Sequence, residues 1–170
     1  MRNLVLALTL VAMAVPAFAQ SGTAAPPLAR TLSLAGPRFG VSVLSEGVVK
    51  ALGDRDIKVG STISQFGWQF EKQFYTNDSG VTALNEWVTL FGGLDQGVTI
   101  PSFSWLVGLR TREGAEIGVG PNVTPAGVAL VVAAGVTMRA GPLNVPMNFA
   151  IVPTKAGTRM TVLTGFTLRR

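Results

Sequence analysis

Apolar and polar residues trade places with a period of two along most of the chain beyond residue 38. In residues 102–112, SFSWLVGLRTR, one parity holds Phe103, Trp105, Val107 and Leu109. The other holds Ser102, Ser104, Gly108, Arg110 and Arg112, with Leu106 as the exception. Such a period is that of a strand with two unlike faces. In ISQFGWQFEKQF, Phe66, Trp68, Phe70 and Phe74 face away from Gln65, Gly67, Gln69, Glu71 and Gln73, and Lys72 interrupts the apolar row. Val128, Leu130, Val132, Val136 and Met138 oppose Ala129, Ala133, Gly135, Thr137 and Arg139. Met147, Phe149 and Ile151 oppose Pro146, Asn148 and Ala150, and Met160, Val162, Phe166 and Leu168 oppose Arg159, Thr161, Gly165 and Thr167. Only TALNEWVTLF is ambiguous, because Glu86 travels with Leu84 and Val88 while Asn85 travels with Trp87 and Phe91.

Read with the Gly, Pro, Asn and Asp residues between them, these rows predict strands at 38–44, 61–75, 81–91, 102–112, 114–120, 127–139, 142–152 and 158–168. In SEGVVKALGDRD the period changes. Ser45 suits a helix start, and Val48, Val49 and Leu52 share helical spacing, so a short helix is expected near 45–52. The expected fold is all-β, an antiparallel up-and-down barrel of about eight strands with that one helix.

Two readings of the faces compete. In a soluble barrel or sandwich the large apolar face is the core. In a membrane barrel it meets lipid, and the other face lines the lumen. The second face is mostly Gly, Ala, Ser, Thr, Asn and Gln, whereas a face turned to water is usually rich in charge. Small side chains suit the interior of an eight-stranded barrel. Its few charges have both signs, Glu71 and Glu116 with Arg110, Arg112, Arg139 and Arg159, and a lumen can pair them. The membrane reading therefore leads. It makes Phe66, Trp68, Phe70, Phe103, Trp105, Val107, Leu109, Phe149 and Phe166 lipid-facing. The alternative is a soluble periplasmic or secreted barrel that holds a lipid or other apolar ligand inside.

Connection lengths point the same way. Those at 45–60, 92–101, 121–126 and 153–157 read longer than those at 76–80, 113 and 140–141, and unequal rims are typical of outer-membrane barrels. An even strand count puts both termini on the short-turn rim.

Composition sharpens the picture. Only 14% of the 170 residues are charged, against roughly 25% in an ordinary soluble domain. Residues 1–19 read as a secretory signal peptide: Arg2, an apolar run, then Ala17-Phe18-Ala19 as the cleavage pattern. Residues 20–37 read as a flexible leader and 38–170 as the barrel domain. The net charge of +5 has no cluster beyond Arg169–Arg170, which argues against nucleic acid as a partner.

The pattern resembles the small eight-stranded outer-membrane β-barrels of Gram-negative bacteria, the OmpX/OmpA-transmembrane type. The resemblance spans residues 38–168 and rests on alternation, signal peptide and loop rhythm. The last strand, TVLTGFTLRR, is similar to the assembly signal of that class through Gly165, Phe166 and Leu168, but ends in Arg169–Arg170 rather than an aromatic residue. The resemblance implies an outer-membrane location, with outer-membrane lipid and the barrel-assembly machinery as partners. It also implies a structural, adhesive or protective role through the longer loops, and no wide pore.

Candidate chemistry is sparse. With neither His nor Cys in the chain, a Ser-His-Asp triad and the common metal motifs are excluded. No catalytic residue, metal site or cofactor is expected, and the protein is read as not an enzyme. Glu71 and Glu116 are read as ion-pair partners of lumen arginines. GVGPN at 118–122 lacks the Lys-Ser/Thr of a phosphate loop and is read as a turn or bulge. The lumen-parity glycines 67, 108, 118, 120, 135 and 165 either leave a ligand cavity or allow curvature and close packing. Trp68, Trp87 and Trp105 either form interfacial girdles or simply pack.

Overall fold

The structure, a computed structural model, describes residues 32–140 and 143–169, the side chains of 139, 140, 168 and 169 apart. Each alternating segment becomes a strand: β1 Ser33–Leu44, β2 Thr62–Thr76, β3 Thr82–Gly92, β4 Ile100–Arg110, β5 Ala115–Thr124, β6 Gly127–Ala140, β7 Leu143–Thr154 and β8 Gly157–Gly165, with a short β9 at Leu168–Arg169. Neighbours in sequence pair antiparallel, and β8 returns to β1, from Arg38 opposite Gly165 to Leu44 opposite Arg159. The sheet thus closes into an eight-stranded barrel. Closure removes the unpaired edges that an open sheet exposes. β9 adds to the start of β1, with Leu168 opposite Ala35.

Several boundaries differ from the expected ones. Residues 33–37, assigned to the leader, are strand, and they pair with β2 from Ser33–Lys72 to Pro37–Trp68. β5 runs on through Gly118–Asn122, so GVGPN is neither turn nor bulge, and the connection expected at 121–126 shrinks to residues 125–126. The connection expected at 153–157 shrinks to 155–156. Of the four connections on that rim, only the first two are long. The signal peptide assigned to 1–19 lies outside the described residues, as does most of the leader.

The helix forms where its period predicted, at Glu46–Gly53 (α1). It lies over one mouth of the barrel. Val48 and Leu52 are buried against Leu44, Ile63 and Ile100, the interior residues nearest that rim. Ser45 sits at the cap position, but its hydroxyl makes no cap bond. It accepts instead from the Thr158 backbone N–H at 3.0 Å, which ties the helix entry to β8. The second long connection folds as a 3-10 turn, Leu94–Gln96. Asp95 accepts from both the amide and the hydroxyl of Ser64, while Gln96 accepts from the Gly60 amide and donates to the Thr62 carbonyl. The two connections therefore form one ordered structure at the mouth.

Two glycines show how tightly the strands approach. A Cβ on Gly67 would run into the Thr89 carbonyl, and one on Gly120 into the Trp105 carbonyl. The backbone, not a ligand, occupies that room.

Candidate functional site

The faces sort as the alternation foretold, with the aromatic side outward. The nine residues read as lipid-facing each leave between 40% and 53% of their surface exposed. Lys72 is the one charged residue on the outward parity of the described strands. β3 resolves its ambiguity: Leu84, Glu86, Val88 and Leu90 turn inward and are buried, while Phe91 turns outward. The tryptophans do not form rim girdles. Trp68, Trp87 and Trp105 sit near the middle of adjacent strands, with Trp87 directly opposite Trp105. The Trp105 indole N–H donates to Asn85 Oδ1 at 2.5 Å. That bond pairs two polar groups on the outward face, where Asn85 also stands directly opposite Lys72.

The inward parity builds a filled lumen. Its charged cluster lies in the half nearer the turns at 77–81 and 111–114. Arg110 is the hub: Nη1 and Nη2 donate to the two Glu71 oxygens, each at 2.6 Å. Nε donates to Glu116 Oε2 at 2.7 Å, and Nη2 lies 2.6 Å from the same oxygen. The other Glu116 oxygen accepts from Asn148 Nδ2 at 2.6 Å. Beside this cluster runs a relay. Arg38 Nε donates to Gln69 Oε1 at 2.8 Å, and Gln69 Nε2 donates to Glu86 Oε1 at 2.7 Å. Planar guanidinium forks matched to carboxylates are the strong form of such contacts.

A different polar group lies toward the helix-covered mouth. Arg159 Nη2 donates to Asn122 Oδ1 at 2.5 Å, and Asn122 Nδ2 donates to the hydroxyls of Ser102 and Ser104 at 2.9 and 2.8 Å. Ser42 and Thr161 share a hydrogen bond of 2.6 Å, and Gln65 Nε2 donates to Ser42 Oγ at 2.9 Å. An apolar cluster of Val88, Leu90, Leu106, Val131, Val152 and Leu163 fills the lumen alongside.

Of the six charges expected in the lumen, Glu71, Glu116 and Arg110 meet directly, and Arg159 lies inside but apart from them. Arg112 is a correction. It sits exposed in the 111–114 turn, because the chain reverses at Thr111, whose N–H donates to the Ala115 carbonyl at 2.8 Å. The Arg139 side chain lies outside the described residues. Arg38 and Glu86 were missed. Arg38 stood at the supposed start of a strand, and Glu86 stood in the segment whose parity was ambiguous. Among the described lumen side chains the tally is three arginines, Arg38, Arg110 and Arg159, against three glutamates, Glu71, Glu86 and Glu116.

The lumen leaves a cavity of about 60 Å³, bounded by the apolar cluster and by Gln65, Gln69, Glu86, Ser102, Ser104, Asn122, Asn148, Arg159 and Thr161. A smaller cavity of about 20 Å³ lies under α1 and shares Gln65, Ser102 and Arg159 with it. Pockets for drug-sized ligands occupy roughly 300–1,000 Å³. Among the described residues the lumen therefore has no room for a lipid chain.

No family model matches the chain, and no curated protein matches it. Among solved structures, the crystal structure of Ail, the attachment invasion locus protein of Yersinia pestis, aligns with a TM-score of 0.52 at 12% identity, covering 82% of this chain and 98% of Ail. The backbone structure of the Yersinia pestis outer membrane protein Ail in a phospholipid bilayer nanodisc aligns with a TM-score of 0.49 at 12% identity, covering 81% of this chain and 99% of that one. At such identity the likeness is one of architecture. Strand count, antiparallel order and closure together give this chain the fold of the small eight-stranded outer-membrane barrels.

Proposed function

We propose that this protein is an exported outer-membrane barrel whose ordered loops at 45–61 and 93–99 act at the outer surface, in a structural, adhesive or protective role. One observation carries the reading: the outward face is apolar and aromatic, while the charged and hydrogen-bonded side chains are held inside, beside one apolar cluster. Twenty-eight large apolar side chains are exposed among the described residues. That is far beyond the single patch of a few hundred Å² that soluble monomers show. Strands of 9 to 15 residues match the roughly 9–11 needed to cross a bilayer at a tilt. In this reading residues 1–19 direct export, and the assembly machinery inserts the barrel through its last strand.

The adhesive option draws on the structural neighbour named for attachment and invasion and on the loops themselves. α1 and the 3-10 turn are pinned to the rim, so they present a fixed surface. The soluble alternative needs the aromatic rows inside and room for an apolar ligand; the rows face out, and the cavity, though partly apolar, measures about 60 Å³. The carboxylates of Glu71 and Glu116 are held by Arg110 and by amide partners.

Fractionation with a heat-modifiability gel tests the reading. Full-length protein expressed in a Gram-negative host is expected to sediment with the outer membrane and to change mobility in SDS on boiling. Recovery in the soluble periplasm without a shift would overturn it.

A further inference from the structure

Arg110 has two carboxylate partners, and Arg38 reaches one through a single amide. Arg159 has neither among the described residues. Its one hydrogen bond goes to a neutral amide oxygen. That amide is fixed in orientation, because turning it over would set its NH₂ against the guanidinium. Its NH₂ is in turn spent on the hydroxyl oxygens of Ser102 and Ser104. Both serines are buried, and neither hydroxyl proton has an acceptor among the described residues. Each is left to donate into the cavity that both residues line. One guanidinium and two hydroxyl donors thus line a single space, and the smaller cavity under α1 shares Arg159 and Ser102 with it.

We propose that this space binds a small monoanion, of chloride or formate size, held by Arg159, Ser102 and Ser104. The cavity of about 60 Å³ sets the size class, since a water takes roughly 10–15 Å³ of such space. An ion with a few waters fits, and a larger anion does not. The same cavity is lined by Glu86 and by two buried acceptors without partners, Gln65 Oε1 and Asn148 Oδ1. Glu86 and Asn148 stand with the charged cluster and repel an anion from that side, which places the ion at the Arg159 end, where Gln65 Oε1 takes a water. The anion gives Arg159 the counter-charge that the other two lumen arginines obtain from glutamates.

The test uses the folded barrel in detergent micelles, with bromide as the probe. The apparent unfolding midpoint is followed in sodium bromide and in sodium gluconate at matched ionic strength, and crystals grown in bromide are searched for anomalous scattering. A saturable rise of a few degrees in bromide but not in gluconate is expected, with an anomalous peak beside Arg159. Arg159→Gln is expected to abolish both. Ser102→Ala with Ser104→Ala keeps the test available should Arg159→Gln fail to fold, and is expected to weaken half-saturation about tenfold or more. Equal midpoints in the two salts, the same rise in Arg159→Gln, or half-saturation unmoved in the serine variant would overturn the proposal and leave a cavity filled with water.

Discussion

Arg110 on β4 reaches across β3 to Glu71 on β2, with both guanidinium Nη atoms 2.6 Å from its carboxylate oxygens. The contact skips a strand, so it ties the barrel through its interior rather than along the hydrogen-bond ladder. Glu116 on the next strand closes the set. Removing the hub leaves two buried carboxylates facing each other, and breaking a buried pair from one side costs roughly 3–5 kcal/mol. Arg110→Met is therefore expected to lower stability by about that amount, read from urea unfolding in micelles by gel mobility. The triple change Arg110→Met, Glu71→Gln, Glu116→Gln removes the charges together and is expected to recover most of the loss. If the single and triple variants were equally unstable, the cluster would matter for its shape and not its charge.

The outside carries the complementary prediction. Val107 is half exposed on β4, in the row with Trp105 and Leu109. A lysine at the bilayer midplane costs roughly 2–4 kcal/mol, and far less near an interface. Val107→Lys is expected to block assembly, seen as loss of the fast-migrating unboiled band. Lys72 stands opposite Asn85, which is itself opposite Val107, and its long stem lets the ammonium extend to the interface. Lys72→Leu is expected to assemble normally. A harmless Val107→Lys would mean that this row does not meet lipid.

Much of this architecture was legible in the residues because a strand writes its two faces into alternate positions. Phe103, Trp105, Val107 and Leu109 name one side of β4 unaided. Deciding that this side faces out required the chemistry of the other side, where Ser102, Ser104 and Gly108 are too small and too uncharged for a surface in water. What alternation cannot mark is where a strand stops. Arg112 keeps the parity of Arg110, but the chain has already turned at Thr111, so the side chain leaves the lumen. The opposite error hid the end of β5. Pro121 and Val123 continue the outward row of Ile117 and Val119, and Gly120 and Asn122 the inward one, yet the Gly and Pro content of GVGPN reads as a turn. Glu86 was obscured for a third reason. Its place inside depends on Gln69 and Arg38, partners on other strands that no local pattern reveals.

The stapled mouth yields a pH dependence. Asp95 takes hydrogen bonds from the Ser64 hydroxyl and amide, and these hold its carboxyl below the usual aspartate range. A group whose folded value is depressed contributes while ionised. The contribution is complete above the unfolded value of about 3.9 and fades as pH falls through the lower folded value. The staple is therefore expected to hold at neutral and mildly acidic pH and to release only in strong acid. The Ser64 amide resonance, followed by NMR in micelles, should titrate with a midpoint below about 3.9, and Asp95→Asn should abolish the titration. A midpoint at or above that value would mean that the carboxylate is not held by Ser64 in solution.

Trp105 and Asn85 supply the last test, because their hydrogen bond lies on the apolar outside at 2.5 Å. The two residues occupy diagonal positions on β3 and β4, where Trp105 stands opposite Trp87 and Asn85 opposite Val107. An amide facing lipid has no water to turn to, so the indole N–H depends on Asn85, while Asn85 has Lys72 opposite it as a second polar neighbour. Replacing Trp105 by Phe takes the indole donor from the amide oxygen, and replacing Asn85 by Leu strands the indole N–H. Replacing both removes the polar pair and leaves Lys72 as the polar group on that part of the outward face. Hydrogen bonds between membrane-embedded side chains couple by about 0.6 kcal/mol on average, with a maximum near 1.7. The double-mutant cycle, read from unfolding in lipid vesicles, is expected to give a coupling within that range, with the double variant at least as stable as Trp105→Phe. Coupling near zero would mean that Asn85 finds another partner, and would place this part of β3 close enough to the interface for water to serve.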